Sequence, residues 1–93
     1  MAEFSGMNVE AILGQVVPGL RRQSDAVNQV IREVERIIQT AQNDWKGQDS
    51  KQFTQKWEGE YKRPLTQLVE ELKQLADIAQ RNAQKQQQTS AQL

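Results

Sequence analysis

The stretch "DWKGQDSKQFTQKW", residues 44–57, decides the fold. Only 5% of the 93 residues are aromatic, so it matters that Trp45, Phe53 and Trp57 fall here and that Tyr61 follows four places later. Gly47 sits between the first tryptophan and the others. A glycine there is free to take φ > 0 and close a helix. Asp49 has the side chain of an N-cap for the next helix, with Gln52 three places on as its capping-box partner. The segment predicts a chain reversal over residues 46–49, with a helix on each side.

Upstream of the reversal, positions 13, 17, 20, 24, 27, 31, 34, 38, 41 and 45 are Leu13, Val17, Leu20, Ser24, Val27, Ile31, Val34, Ile38, Ala41 and Trp45. This alternating 4-3 spacing is the pattern of a coiled-coil-like helix face, with Ser24 its one polar member. Ile12, Val16, Val30 and Ile37 widen the stripe. Downstream, Phe53, Trp57, Tyr61, Leu65, Leu68, Leu72, Leu75 and Ala79 form a second stripe, widened by Val69, Ala76 and Ile78. Lys73–Asp77 and Asp77–Arg81 are spaced as i,i+4 pairs on its outer side.

The reading is all-α: an antiparallel helix-turn-helix hairpin with helix 1 over about 8–45, a turn at 46–49 and helix 2 over about 50–84. At about 1.5 Å per residue, arms of roughly 30–35 residues span about 45–50 Å. Pro18, near Gly14 and Gly19, and Pro64, near Gly59, interrupt the stripes without breaking their phase, which predicts a kink at Pro18 or a short separate N-terminal turn starting near Asn8, and a bend near residues 60–64. Residues 1–84 form one hairpin domain, and the segment "KQQQTSAQL", residues 85–93, reads as a flexible polar tail.

Composition excludes several functions. There is no cysteine and no histidine, so there is no disulfide or thiolate metal site, and the commonest general base is missing. Lys+Arg and Asp+Glu are each 12, which argues against a nucleic-acid binder. Arg21 and Arg22 read as solvated surface. No apolar run reaches the roughly 20 residues of a membrane span. The first residues lack a basic n-region, and Glu3 and Glu10 flank their apolar positions, unlike a cleavable signal peptide. Glu58 and Glu60, or Glu70 and Glu71, are adjacent or near-adjacent along a helix and do not face each other as a general acid–base pair would need. The chain reads as non-enzymatic, with no cofactor and no metal.

Both stripes are wider than a two-helix seam. A single hairpin would leave a long apolar face in water, and such a face marks a partner site. The economical solution is a second hairpin, giving a four-helix bundle. The expected core and dimer interface comprises Leu13, Val17, Leu20, Val27, Ile31, Val34, Ile38, Phe53, Trp57, Tyr61, Leu65, Leu68, Leu72 and Leu75. The stripes carry few charges that would enforce a mixed pair, so a homodimer is favoured.

Trp45-Lys46-Gly47 at a hinge, Phe53 eight places after the tryptophan, Trp57 four further on and the ladder Leu65, Leu68, Leu72, Leu75 together resemble the WXG100 (ESAT-6-like) proteins of the type VII, or ESX, secretion system. The resemblance covers nearly the whole chain and is greatest to actinobacterial members. It implies a hairpin that dimerises head to tail, either with itself or with a sister WXG100 protein. It implies export as a folded dimer by a membrane ATPase, without a cleaved signal, to the extracellular space. It also implies that Trp45 and Gly47 form a recognition tip beside the partner's C-terminal export signal. The chain departs from the family in one respect. Exported members carry Tyr-x-x-x-Asp/Glu after the second helix, whereas here Tyr61 is the only tyrosine and Leu65 stands four residues later, within the helix. The export element is then absent, supplied by a partner, or of another form. The alternative function is an intracellular helical-hairpin adaptor or chaperone that holds another helix on its apolar face.

Overall fold

The structure, a computed structural model, describes residues 8–45 and 47–92. Residues 1–7 of the expected hairpin domain, Lys46 of the Trp-x-Gly turn and residue 93 of the expected tail lie outside the described residues. The first arm consists of α1 (Val9–Ala11), a π-turn (Ile12–Val16) and α2 (Val17–Asp44); the second consists of α3 (Gln48–Lys56), a π-turn (Trp57–Tyr61) and α4 (Lys62–Gln92). The arms fold back on each other as a hairpin, with α2 against α4.

Asn8 starts the first arm, its Oδ1 accepting the Ala11 N–H at 3.0 Å. The arm ends at Trp45, whose N–H donates to the Ala41 carbonyl at 2.7 Å while its own backbone turns extended. Gly47 then takes φ 113° and ψ −167°, a region essentially reserved for glycine. Gly47, not Asp49, is the N-cap of α3, and its carbonyl accepts the Lys51 N–H at 3.3 Å. Asp49 lies inside the first helical turn, where its charge complements the helix N-terminus instead of capping it. The reversal is thus shorter than residues 46–49, because the glycine turns the chain and caps the next helix at once.

The second arm runs on to Gln92, past the expected end near residue 84. Alanine, glutamine and lysine are good helix formers, and no glycine or proline follows Pro64. Gln48–Gln92 at about 1.5 Å per residue accounts for the 69 Å length of the molecule, against 18 and 16 Å across.

Both prolines coincide with π-turns. Val17 donates its N–H to Ile12, five residues back, just before Pro18. Lys62 donates to Trp57, also five back, two places before Pro64. A proline ring collides with the carbonyl four residues earlier, here Gly14 and Glu60, and a widened turn is one way a helix absorbs the misfit. The expected kinks are therefore inserted residues, and an inserted residue changes the phase of everything after it.

Among the described residues the main core is Ile31, Ile38, Trp57 and Val69, with Val27, Val34 and Leu65 packed against it. Toward the open end the buried side chains become small: Val17, Ser24, Ala76 and Ala83. Ser24 is 1% exposed and donates its hydroxyl to the Val69 carbonyl at 2.9 Å. The polar member of the stripe is thereby satisfied at a place where the arms approach too closely for a larger side chain.

Candidate pairing face and hinge tip

The buried and half-buried residues trace one seam on each arm. On the first arm it passes through Val17, Leu20, Ser24, Val27, Ile31, Val34, Ile38 and Ala41, as the 4-3 pattern predicts. At the N-terminal end of the π-turn, Ile12 and Leu13 are both half-buried. On the second arm it passes through Ser50, Thr54 and Trp57, then through Lys62, Leu65, Val69, Leu72, Ala76, Ala79 and Ala83. The step from Trp57 to Lys62 is five residues, where a regular helix would step four. Beyond it the seam sits one place later than the sequence stripe at every second contact. Val69 and Ala76 are inside the hairpin, while Tyr61, Leu68 and Leu75 are outside it at 51%, 40% and 51% exposure.

The displaced residues are not scattered. Val16, Val30 and Ile37 are exposed, and each immediately precedes a buried residue of the first arm's seam. Phe53, Tyr61, Leu68, Leu75 and Ile78 are exposed, and each immediately precedes a seam residue of the second. One residue back along a helix is a rotation of about 100°. The arms run in opposite directions, so the same step back turns both rows toward the same side of the hairpin. On that side a cavity of about 200 Å³ opens between Phe53 and Tyr61 of the second arm's row and the seam residues Val34, Ile38 and Trp57. This is an apolar face on one side of a helix pair, interrupted by a few polar side chains such as Gln23.

The opposite side is polar and ties the arms together. Arg21 reaches Asp77 at 3.1 Å and Gln80 at 2.7 Å. Glu35 pairs with the Lys62 ammonium and accepts the Trp57 indole N–H at 3.5 Å. Gln42 donates to the Thr54 hydroxyl at 3.3 Å. Arg21, Glu35 and Gln42 each follow a seam residue by one place, which sets them on the side away from the apolar face. The hydrogen bond and charge of Lys62 hold the Glu35 carboxyl below the usual carboxylate range, although partial burial opposes this; Glu35 in turn raises the Lys62 ammonium. Within the first arm, Arg36 lowers Glu33 by a hydrogen bond and by its charge.

These rungs correct one expectation and add to another. Asp77 pairs across the hairpin with Arg21 while Lys73 pairs with Glu70, and Arg21, a solvated surface group with its side chain 42% exposed, also bridges the two arms. The sequence signal was present as Asp77 and Gln80 three places apart, but only the antiparallel register brings Arg21 opposite them. The carboxylates considered for catalysis are surface groups, Glu58 paired with Lys62, Glu60 with Lys56 and Glu70 with Lys73.

At the hinge, Trp45 and Phe53 form a tilted ring pair with centroids 5.6 Å apart, and both remain about 44% exposed. Trp45 and Gly47 also line a shallow cavity of about 360 Å³ with Ser50, Lys51 and Thr54. The tryptophan is therefore a half-open cap on the end of the hairpin. Among the described residues no helix is long and apolar enough to cross a membrane.

A family model described as "WXG100: Proteins of 100 residues with WXG" matches residues 12–91. No curated protein and no solved structure matches the chain.

Proposed function

The chain belongs to the WXG100 family, whose members are known as type VII secretion substrates and generally pair with one another, and from that premise we propose that it is a small non-enzymatic secreted protein exported as a folded dimer. The observation that carries the proposal is the one-sidedness of the hairpin: polar rungs on one side, and Val16, Val30, Ile37, Tyr61, Leu68 and Leu75 open to water on the other. Two such faces laid together head to tail make a four-helix bundle with coiled-coil-like packing. The preferred partner is a second copy, because the large residues of the outward rows are apolar and the charges among them, Glu33, Lys56 and Glu71, are few. A sister WXG100 protein is the other partner of the same chemistry, and it would also supply the Tyr-x-x-x-Asp/Glu element that the Tyr61–Leu65 spacing lacks.

The hinge tip is the part offered to the secretion machinery. Trp45 and Phe53 stay half exposed at the end of the hairpin, away from the pairing face's centre, and Gly47 turns the chain between them. The test is secretion: the protein is expected in the culture filtrate, and is expected to disappear from it when the FtsK/SpoIIIE-type ATPase of the system is deleted. A protein that stays inside the cell in both strains would replace this reading with that of an intracellular adaptor.

A further inference from the structure

We propose that the π-turn Trp57–Tyr61 is a register element that divides the second arm's apolar residues into two rows with different jobs. One row, Val69, Ala76 and Ala83, is small and closes the hairpin. The other, Tyr61, Leu68 and Leu75, is large and faces the partner. Each row repeats every seven residues, and the second stands one place ahead of the first. Trp57 and Leu65 are both on the seam and eight residues apart, one more than the seven of a heptad. The π-turn, with Lys62 bonded back to Trp57, absorbs that extra residue. In an uninterrupted α-helix continuing from Trp57, everything beyond would rotate by about 100°. Tyr61, Leu68 and Leu75 would then enter the hairpin, and the outward face would lose its large side chains on this arm.

The local sequence fits an absorbed insertion. Gly59 lies within the turn, is exposed, and has no neighbouring atom within 4 Å of where a Cβ would stand. Pro64 cannot donate to the Glu60 carbonyl, so a regular ladder is already disfavoured there. The fit inside the hairpin is tight where the small row lies, with Ala76 and Ala83 at 0% exposure. A leucine in place of Ala76 has no room, which is why the large row must face away.

The inference rests on the pairing reading above for the job of the large row, but its core is the register, which is read from folding alone. Leu75→Lys and Ala76→Lys are compared by circular dichroism, urea unfolding and sedimentation. Leu75→Lys is expected to keep its helicity and unfolding midpoint at a dilution where the chain is monomeric, and to weaken pairing at least tenfold. Ala76→Lys is expected to unfold the hairpin. Deletion of Gly59 combined with Pro64→Ala removes the extra residue while keeping Lys62, Val69 and Ala76 in phase, so it is expected to pair within about threefold of Pro64→Ala alone. Deletion of Gln74 with Pro64→Ala, which shifts the phase in the middle of α4, is expected to abolish pairing. The register is overturned if Leu75→Lys unfolds the monomer while Ala76→Lys does not, or if Gly59 deletion is as damaging as Gln74 deletion. A wild-type chain that stays monomeric alone and beside its sister protein would sink the pairing reading, while the 75-against-76 unfolding comparison would still decide the register.

Discussion

Lys62 donates its backbone N–H to the carbonyl of Trp57, five residues back and not four. That single bond turns the rest of the second arm. It brings Lys62 to Glu35 on the polar side, and it leaves Tyr61 in water on the apolar side. The two faces of the hairpin thus depend on a local event in one helical turn.

Ile37 and Ile38 are neighbours with opposite fates, 54% and 6% exposed. Ile37→Lys is expected to leave the hairpin folded and shift sedimentation from dimer toward monomer. Ile38→Lys places an unpaired ammonium in the core and is expected to cost several kcal/mol or unfold the chain. A dimer that survives Ile37→Lys unchanged would move the pairing surface elsewhere.

Gly47 and Gly59 respond to alanine in opposite directions. Gly47 has φ 113°, and space around it is open, so Gly47→Ala costs only backbone strain, about 1–3 kcal/mol. Gly59 is helical and equally open, so Gly59→Ala stabilises by roughly 0.5–1 kcal/mol. Thermal melting of the two variants reads the signs directly.

Ser24 tests how closely the arms approach. Ser24→Ala loses one hydrogen bond to a carbonyl and is expected to cost about 1 kcal/mol or less. Ser24→Leu overfills a site that is 1% exposed and is expected to cost about 1–3 kcal/mol. Urea unfolding followed by helicity separates the two. Equal effects would mean that the contact around Ser24 is loose.

The Glu35–Lys62 pair gives a pH dependence with a defined sign. Glu35 is lowered by folding, so its contribution is complete above the ordinary glutamate value of about 4.3 and is lost as pH falls through the depressed folded value. Lys62 is raised, so its contribution is complete below about 10.4 and is lost as pH rises through the raised folded value. Both groups are more than a third exposed, so water screens the effect and it is small. Glu35→Gln keeps an acceptor for the Trp57 indole and is expected to flatten the acid limb of melting temperature against pH. An unchanged acid limb would mean that the pair adds nothing to stability.

Trp45 is expected to matter more for export than for folding. Among the described residues its ring has one aromatic neighbour, Phe53, and it is half exposed. Trp45→Ala forfeits that ring pair, about 0.5–1.5 kcal/mol, and lowers the melting temperature slightly. Its level in the culture filtrate is expected to fall far more than its level in the cell. If both fall together with stability, the tryptophan is only an end-plug.

Much of this protein is determined by its sequence alone. The 4-3 spacing from Val17 to Ala41 fixes one helix and its buried face, because burial follows directly from period and phase when no residue is inserted. Gly47 between two apolar stripes fixes the reversal, because few other residues accept its φ. The second stripe was legible as apolar, but its division was not. Whether Leu68 or Val69 faces the first arm depends on whether the chain between Trp57 and Lys62 makes a turn of five residues or four, and a pattern of hydrophobes fits either. The tertiary structure decides it, because only against the first arm does the closeness of the helices at Ser24 require small side chains and favour the register with Ala76 and Ala83 inside. The cross-arm pairs of Arg21 with Asp77 and of Glu35 with Lys62 follow from the same register, since residues more than twenty-five places apart meet only once the phase of both helices is set.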